Sequence, residues 1–149
     1  MSENELYDYA ITLLAKKDYS SGSLHRLLSK LTENEEDVDR VVRRLSDNHY
    51  LNDTQLINNL IDKHIKKLHG PTRIKQEIRQ KGFPQELIEQ KIEASGIDWY
   101  SMAKEARIKK FSDTPPTEQK EKAKQIRYLQ YKGFSMDHEF RTNKKTLYF

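Results

Sequence analysis

The sequence predicts an all-α fold, an elongated and curved array of three tandem three-helix repeats. Three observations carry that expectation. Apolar residues recur with a 3.6-residue period in almost every segment, and no useful length alternates as a strand does. The tripeptide Lys-Gly-Phe occurs at Lys81-Gly82-Phe83 and again at Lys132-Gly133-Phe134, 51 residues on, each copy following a basic helical stretch, which marks a reused supersecondary unit. Charged residues make up 34% of the chain against 35% hydrophobic, a balance suited to a thin array whose units contact mainly their neighbours.

Each element has its own signal. Leu6, Tyr9, Ala10, Leu13 and Leu14 form a first stripe, and Leu24, Leu27, Leu28 and Leu31 a second, entered through Ser20 or Ser21 as N-cap. Val38, Val41, Val42 and Leu45 mark a third helix, with Thr32 and Glu35 at capping-box spacing before it. A second triplet starts with Asp53 as N-cap, and Ile57, Leu60, Ile61, Ile65 and Leu68 share a face with His64. Gly70-Pro71 breaks the chain and Pro71 suits a first helical turn, after which Ile74 and Ile78 anchor a short helix ended by Gly82. Pro84 opens the next helix, with Leu87, Ile88 and Ile92, and Gly96 stops it.

Asp98 caps the third triplet, whose first helix buries Trp99, Met102, Ala103 and Ala106. The run Ser112-Asp113-Thr114-Pro115-Pro116 is a loop, and Thr117 then caps a long basic helix with Ala123, Ile126 and Leu129 inward, ending at Gly133. A last helix from Ser135 carries Met136 and Phe140. The repeats are expected at residues 1–52, 53–97 and 98–145, with a tail at 146–149. Repeats one and two align by pattern, Leu24 and Leu28 matching Ile74 and Ile78 at an offset of 50.

Composition removes several classes of function. The chain has no cysteine, hence no disulfide, thiolate zinc site or cysteine nucleophile. No apolar run approaches the roughly 20 residues of a membrane span, and the start lacks the features of a signal peptide, so a cytoplasmic location is expected. The five histidines, His25, His49, His64, His69 and His138, show no zinc-helix spacing; His64, on an apolar stripe, reads as a packed, hydrogen-bonded residue. There is no phosphate-loop pattern and no Gly-x-Ser-x-Gly elbow, and paired acids such as Glu35-Glu36-Asp37 fall at helix starts, where the helix dipole accounts for them. No catalytic residue, metal or cofactor is expected.

The net charge of +4 hides an asymmetry. Residues 1–62 hold 7 Lys and Arg against 12 Asp and Glu, a net of −5, while residues 63–149 hold 20 against 11, a net of +9. A basic half points to an anionic partner, nucleic acid first. At 100° per residue Lys120, Lys124, Arg127 and Tyr131 fall within about 60° of arc, away from Ile126 and Leu129. That is a cationic face with an aromatic in line, suited to phosphate contact and base stacking. In the equivalent helix of the second repeat Lys75 and Arg79 share a face, with Arg73 and Lys81 at its ends. Arg40, Arg43 and Arg44, like Lys63, Lys66 and Lys67, lie opposite apolar stripes and read as ordinary solvent faces.

The stretch from Tyr50-Leu51-Asn52-Asp53 through His69-Gly70-Pro71-Thr72-Arg73-Ile74-Lys75-Gln76-Glu77-Ile78-Arg79-Gln80-Lys81-Gly82 to Ile97-Asp98-Trp99 resembles the RecX regulators of the bacterial RecA recombinase. The resemblance covers about residues 8–140. The chain departs from the family pattern at Asn52, where Asp is common, at Leu56, where an aromatic is common, and at His49, where Gly is common; its end, Glu139-Phe140-Arg141-Thr142, lacks a full apolar stripe. The resemblance implies a non-enzymatic modulator, mainly an inhibitor, that binds RecA and the RecA–DNA filament, with single- or double-stranded DNA held through phosphates. A monomer is expected. The alternatives are a nucleic-acid-binding helical repeat protein not directed at RecA, and a protein-only adaptor working through Asp8, Glu35, Glu36 and Asp37.

Overall fold

The computed structural model describes residues 1–135, so the helix expected from Ser135 through Met136 and Phe140, and the tail at 146–149, lie outside the described residues. The chain is all-helical, with α1 (Glu3–Leu14), α2 (Ser21–Ser29), α3 (Glu35–Asp47), α4 (Asp53–Lys66), α5 (Pro71–Gln80), α6 (Gln85–Ala94), α7 (Trp99–Lys110) and α8 (Gln119–Tyr131). No strand occurs among the described residues.

Burial follows the stripes. Leu6, Ala10, Leu24, Leu28, Val38, Val41 and Leu45 close one core between α1, α2 and α3. Ile57, Ile61, Ile74, Ile78, Phe83, Ile88 and Ile92 form a second between α4, α5 and α6. Met102, Ala103, Ala106, Leu129 and Phe134 form a third between α7 and α8. The two Phe residues of the repeated tripeptide, Phe83 and Phe134, thus fold back from their helix ends into successive cores. Truncating one of the central leucines or isoleucines to Ala is worth about 2–5 kcal/mol of stability.

Some elements differ from the sequence reading. Tyr9 is exposed, and Tyr7 packs against the first core instead. The N-cap of α3 is Asn34, whose side chain accepts from Glu36 N and Asp37 N; Thr32 only accepts from Asn34 N, because the helix begins two residues later than a Thr32 cap requires. Asn52, not Asp53, caps α4 by accepting from Gln55 N. The helix α8 starts after Glu118 rather than Thr117, and its buried residues are Gln125 and Leu129, with Ala123 and Ile126 only half-buried. Its apolar stripe is sparse, and the register turns Gln125 inward.

Asp53 is freed for a longer-range task. Its carboxylate accepts from Ser21 N at 2.9 Å and from the Ser21 hydroxyl, tying the start of α4 to the first turn of α2. Beside it, the hydroxyls of Ser20 and Ser23 donate to the Lys81 carbonyl at the C-terminus of α5, at 2.8 and 2.7 Å. The same junction recurs one unit on, where Gly70 N and Thr72 N at the start of α5 donate to Lys132 O at 2.7 Å and Gly133 O at 3.1 Å at the end of α8. Helix N-termini leave N–H groups unsatisfied and C-termini leave carbonyls unsatisfied. Here one set answers the other, positive dipole end against negative.

Glycine makes the approach possible. Gly82 and Gly133 end their helices in left-handed conformation, with φ of 97° and 103°. A Cβ at Gly70, whose own φ of −82° suits any residue, would overlap the Gly133 carbonyl, and one at Gly22 would overlap the carbonyl oxygen of Gly82. Gly96, at φ 65°, has open space around its missing side chain. This separates conformation from packing. Gly96→Ala should cost only the left-handed penalty of about 1–2 kcal/mol; in chemical denaturation Gly133→Ala should lose clearly more, and Gly70→Ala should destabilise despite its ordinary φ. Equal losses for Gly96→Ala and Gly133→Ala, with none for Gly70→Ala, would show that the junction is loose.

Candidate nucleic-acid interface

The basic residues singled out in the sequence sit on α5 and α8, the two helices that the second junction joins end to end. Lys120, Lys124 and Arg127 are exposed along α8, and Tyr131 is 70% exposed at its last position. On α5, Arg79 is exposed and Lys75 half-buried, and Lys81 is exposed just past the helix end. Lys75 and Arg79 line a groove of about 440 Å³ together with Thr72, Gln76, Gln85, Ile88 and Glu89. Because α5 begins where α8 ends, Tyr131 stands beside Arg73, with the guanidinium 5.2 Å from the ring centroid.

Arg73 differs from its neighbours. It is half-buried, its Nε donates to Glu77 Oε1 at 3.1 Å, and its Cβ lies against Gly133. It therefore belongs to the junction as well as to the basic face. Lys132 does too, since its Nζ donates to Lys67 O at 2.8 Å; burial, with Arg73 and Lys109 nearby, holds its ammonium below the ordinary lysine range.

Arg26, on α2, is a residue the sequence reading missed. It lines a groove of about 490 Å³ with Gly22, Gln76, Arg79, Gln80 and Gly82, and Arg79 and Gln76 border this groove and the previous one. The cationic lining thereby crosses the first junction into the acidic half of the chain. The available signal was the 50-residue offset, which sets Arg26 opposite Gln76, one turn before Arg79 and Gln80.

Two of the arginines of α3, Arg40 and Arg44, are engaged within the molecule. Arg40 donates to Glu3 Oε1 at 2.7 Å and pairs closely with Asp37, and Arg44 donates to Glu3 Oε2 at 2.9 Å while its guanidinium covers Tyr7 at 4.1 Å. The hydrogen bond from Arg40 keeps the Glu3 carboxyl below its usual range. This exposed network fastens α1 to α3, and solvent screening keeps each pair weak.

Behind the α5 face lies a buried polar group. The rings of His64 and His69, 7% and 6% exposed, meet with Nδ1 atoms 2.7 Å apart, and His64 Nε2 lies 3.3 Å from Glu77 Oε2. Burial lowers both imidazoles, that of His69 to about 4 with Arg73 and Lys132 adding to the effect, so both are neutral at pH 7. Burial acts to raise Glu77, but the hydrogen bond from Arg73 and the nearby imidazoles outweigh it, and the carboxyl is held low. The tautomers follow: with Glu77 ionised, His64 carries its proton on Nε2 and accepts at Nδ1 from His69 Nδ1–H.

These features define a class, that of tandem three-helix repeat proteins with basic residues along helices joined end to end. Residues 97–138 match the family RecX, third three-helix domain. The regulatory protein RecX of Acinetobacter baylyi is 38% identical over 137 residues, spanning 92% of this chain and 85% of the relative. That of Vibrio parahaemolyticus is 37% identical over 128 residues, 86% of this chain and 83% of the relative. The crystal structure of RecX from Lactobacillus salivarius has the same fold, with a TM-score of 0.74 at 19% identity, covering 91% of this chain and 90% of that one. A second crystal structure of a regulatory protein RecX gives 0.71 at 22% identity, covering 89% and 67%. The chain belongs to the RecX family.

Nitrogen NMR of the imidazoles at pH 7 checks the buried network. His64 should appear as the neutral Nε2–H tautomer and His69 as the neutral Nδ1–H tautomer; a protonated ring, or the opposite assignment, would contradict it.

Proposed function

We propose that this chain is a non-enzymatic modulator of RecA, mainly an inhibitor, that binds RecA and the RecA–DNA filament along the basic faces of α5 and α8. The reading is supported by membership of the RecX family and carried by one observation: Lys75 and Arg79 on α5, and Lys120, Lys124 and Arg127 on α8, lie on helices joined end to end. Units bounded near Asn52-Asp53 and Ile97-Asp98 act as one elongated ligand for the filament, with the chain as a monomer. Phosphate attraction supplies affinity without sequence preference and speeds encounter, while shape and apolar contacts select the filament. Tyr131 offers its ring for stacking on a base or ribose. Arg73 and Lys81 flank the face, and Arg26 extends it towards α2.

A variant with Lys75, Arg79, Lys120, Lys124 and Arg127 all replaced by Ala tests this. Each lost phosphate contact should lower the slope of log affinity against log salt by about 0.7–0.9. Inhibition of RecA ATPase on single-stranded DNA should weaken in parallel, with thermal stability little changed because four of the five positions are exposed, where a substitution alters it by no more than about 0.5 kcal/mol. A folded variant that keeps both the salt slope and the inhibition would place the surface elsewhere. Loss of DNA binding in a protein that never inhibited RecA would favour the nucleic-acid-binding alternative.

A further inference from the structure

We propose that His64, His69 and Glu77 form a binding site for one divalent transition cation of the Zn²⁺ class, set in the α4–α5 corner beside the second junction. The inference is independent of the RecA reading. It begins with placement. His64 lies in the last turn of α4, His69 in the connection just before Gly70, and Glu77 in the middle of α5, so three segments converge on one point.

One ligand atom from each of the three residues lies within 4.8 Å of those from the other two. A four-coordinate zinc with N and O ligands at about 2.0–2.2 Å sets its ligand atoms roughly 3.4 Å apart, so the side chains need shift by only about 1–1.5 Å. Both imidazoles are buried and neutral, so lone pairs are available without displacing a charge-bearing proton. When the ion binds, the proton held between the two Nδ1 atoms moves to the outer nitrogen of His69, leaving both rings neutral. Arg73 donates to Glu77 Oε1 and so orients the carboxylate, while Oε2, which faces His64 Nε2 at 3.3 Å, is the oxygen that turns to the ion. Glu77 is 39% exposed, which gives the ion a path from solvent and room for a water as fourth ligand.

The surroundings decide which ion. Arg73, Lys67, Lys81 and Lys132 all act on these imidazoles, against the single carboxylate of Glu77. A cation held by charge alone, such as Mg²⁺ or Ca²⁺, is repelled from such a place and finds only one carboxylate. One that bonds strongly to imidazole nitrogen is retained, which selects Zn²⁺, Cu²⁺ or Ni²⁺. The other histidine cluster, His25 with Glu35 and Asp39, has only half-buried and exposed members, and its His25–Asp39 hydrogen bond of 2.7 Å accounts for it.

A bound ion would cross-link α4, the loop and α5 at the point where Gly70 N meets Lys132 O, and would stiffen the junction that sets α8 against α5. The test uses untagged, chelator-treated full-length protein titrated with Zn²⁺ by calorimetry, with Co²⁺ absorption reporting coordination geometry. One equivalent should bind saturably and raise Tm, while Mg²⁺ and Ca²⁺ at the same concentrations should do neither. Glu77→Gln and His69→Ala should each weaken binding by at least about tenfold, with helical circular dichroism confirming that they fold, and His25→Gln should leave it unchanged. The proposal is overturned by the absence of saturable Zn²⁺ binding to the wild-type chain, by binding that survives in both Glu77→Gln and His69→Ala, or by binding that disappears in His25→Gln.

Discussion

The meeting of helix ends is the interaction on which the rest of this molecule depends. The first two cores are Leu, Ile and Val stripes closing on one another, the third is built from Met102, Ala103, Ala106, Leu129 and Phe134 between α7 and α8, and Ile65, Ile97 and Trp99 pack against both the second and the third. Beyond that shared apolar contact, the Lys-Gly turn at the end of α5 and of α8 relates one unit to the next, its carbonyls being taken up by the first turn of α2 and of α5. A buried N–H or carbonyl left without a partner costs about 1–3 kcal/mol. Two such groups at the second junction therefore resist any displacement of α8 along α5.

The two junctions solve the same problem differently. At the first, Ser20 is the N-cap, and its hydroxyl, with that of Ser23, spans to Lys81 O, while Asp53 holds Ser21 from the side. At the second, Gly70 replaces the capping serine, the backbones come closer, and the N–H groups bond the carbonyls directly. Neither the C-terminal end of α2, Lys30-Leu31-Thr32, nor the first turn of α8, Gln119-Lys120-Glu121, carries the glycine or serine of these contacts. The row α2, α5, α8 is thus built head to tail by two specific contacts, with Arg26, Arg79, Lys120, Lys124 and Arg127 exposed along it and Lys75 half-buried.

Most of the fold was legible because its signals are local. Apolar spacing located the helices, the caps were placed by type and position at Ser20 or Ser21, of which Ser20 holds it, and at Asp98, and Lys-Gly-Phe gave the left-handed ends. The exposure of the α8 basic face followed from helical angles alone. What escaped was decided by distant partners or by competition between neighbours. Asp53 is a good cap by type, but Asn52 takes the cap and the carboxylate is drawn to Ser21, 32 residues away. Arg107 is buried to 1% exposure, with Nη1 donating to Ser112 O, though its sequence neighbourhood reads as a polar helix end. His64 was legible as packed, but its partners His69 and Glu77 were not, since only the corner between α4 and α5 brings them together. Arg26 lay hidden in an acidic half.

Amide hydrogen exchange at Gly70 and Thr72 tests the central claim most directly. Both amides lie at the start of α5, where no carbonyl of their own helix can protect them, so protection there reports the contact with α8. The account predicts slow exchange of both in the intact chain, comparable with amides in the helix interior, and fast exchange in Gly133→Ala while the α1–α3 core stays protected. Fast exchange at Gly70 and Thr72 in the folded wild-type protein would mean that the helix ends do not meet, and the end-to-end joining of α5 and α8 would lose its physical basis.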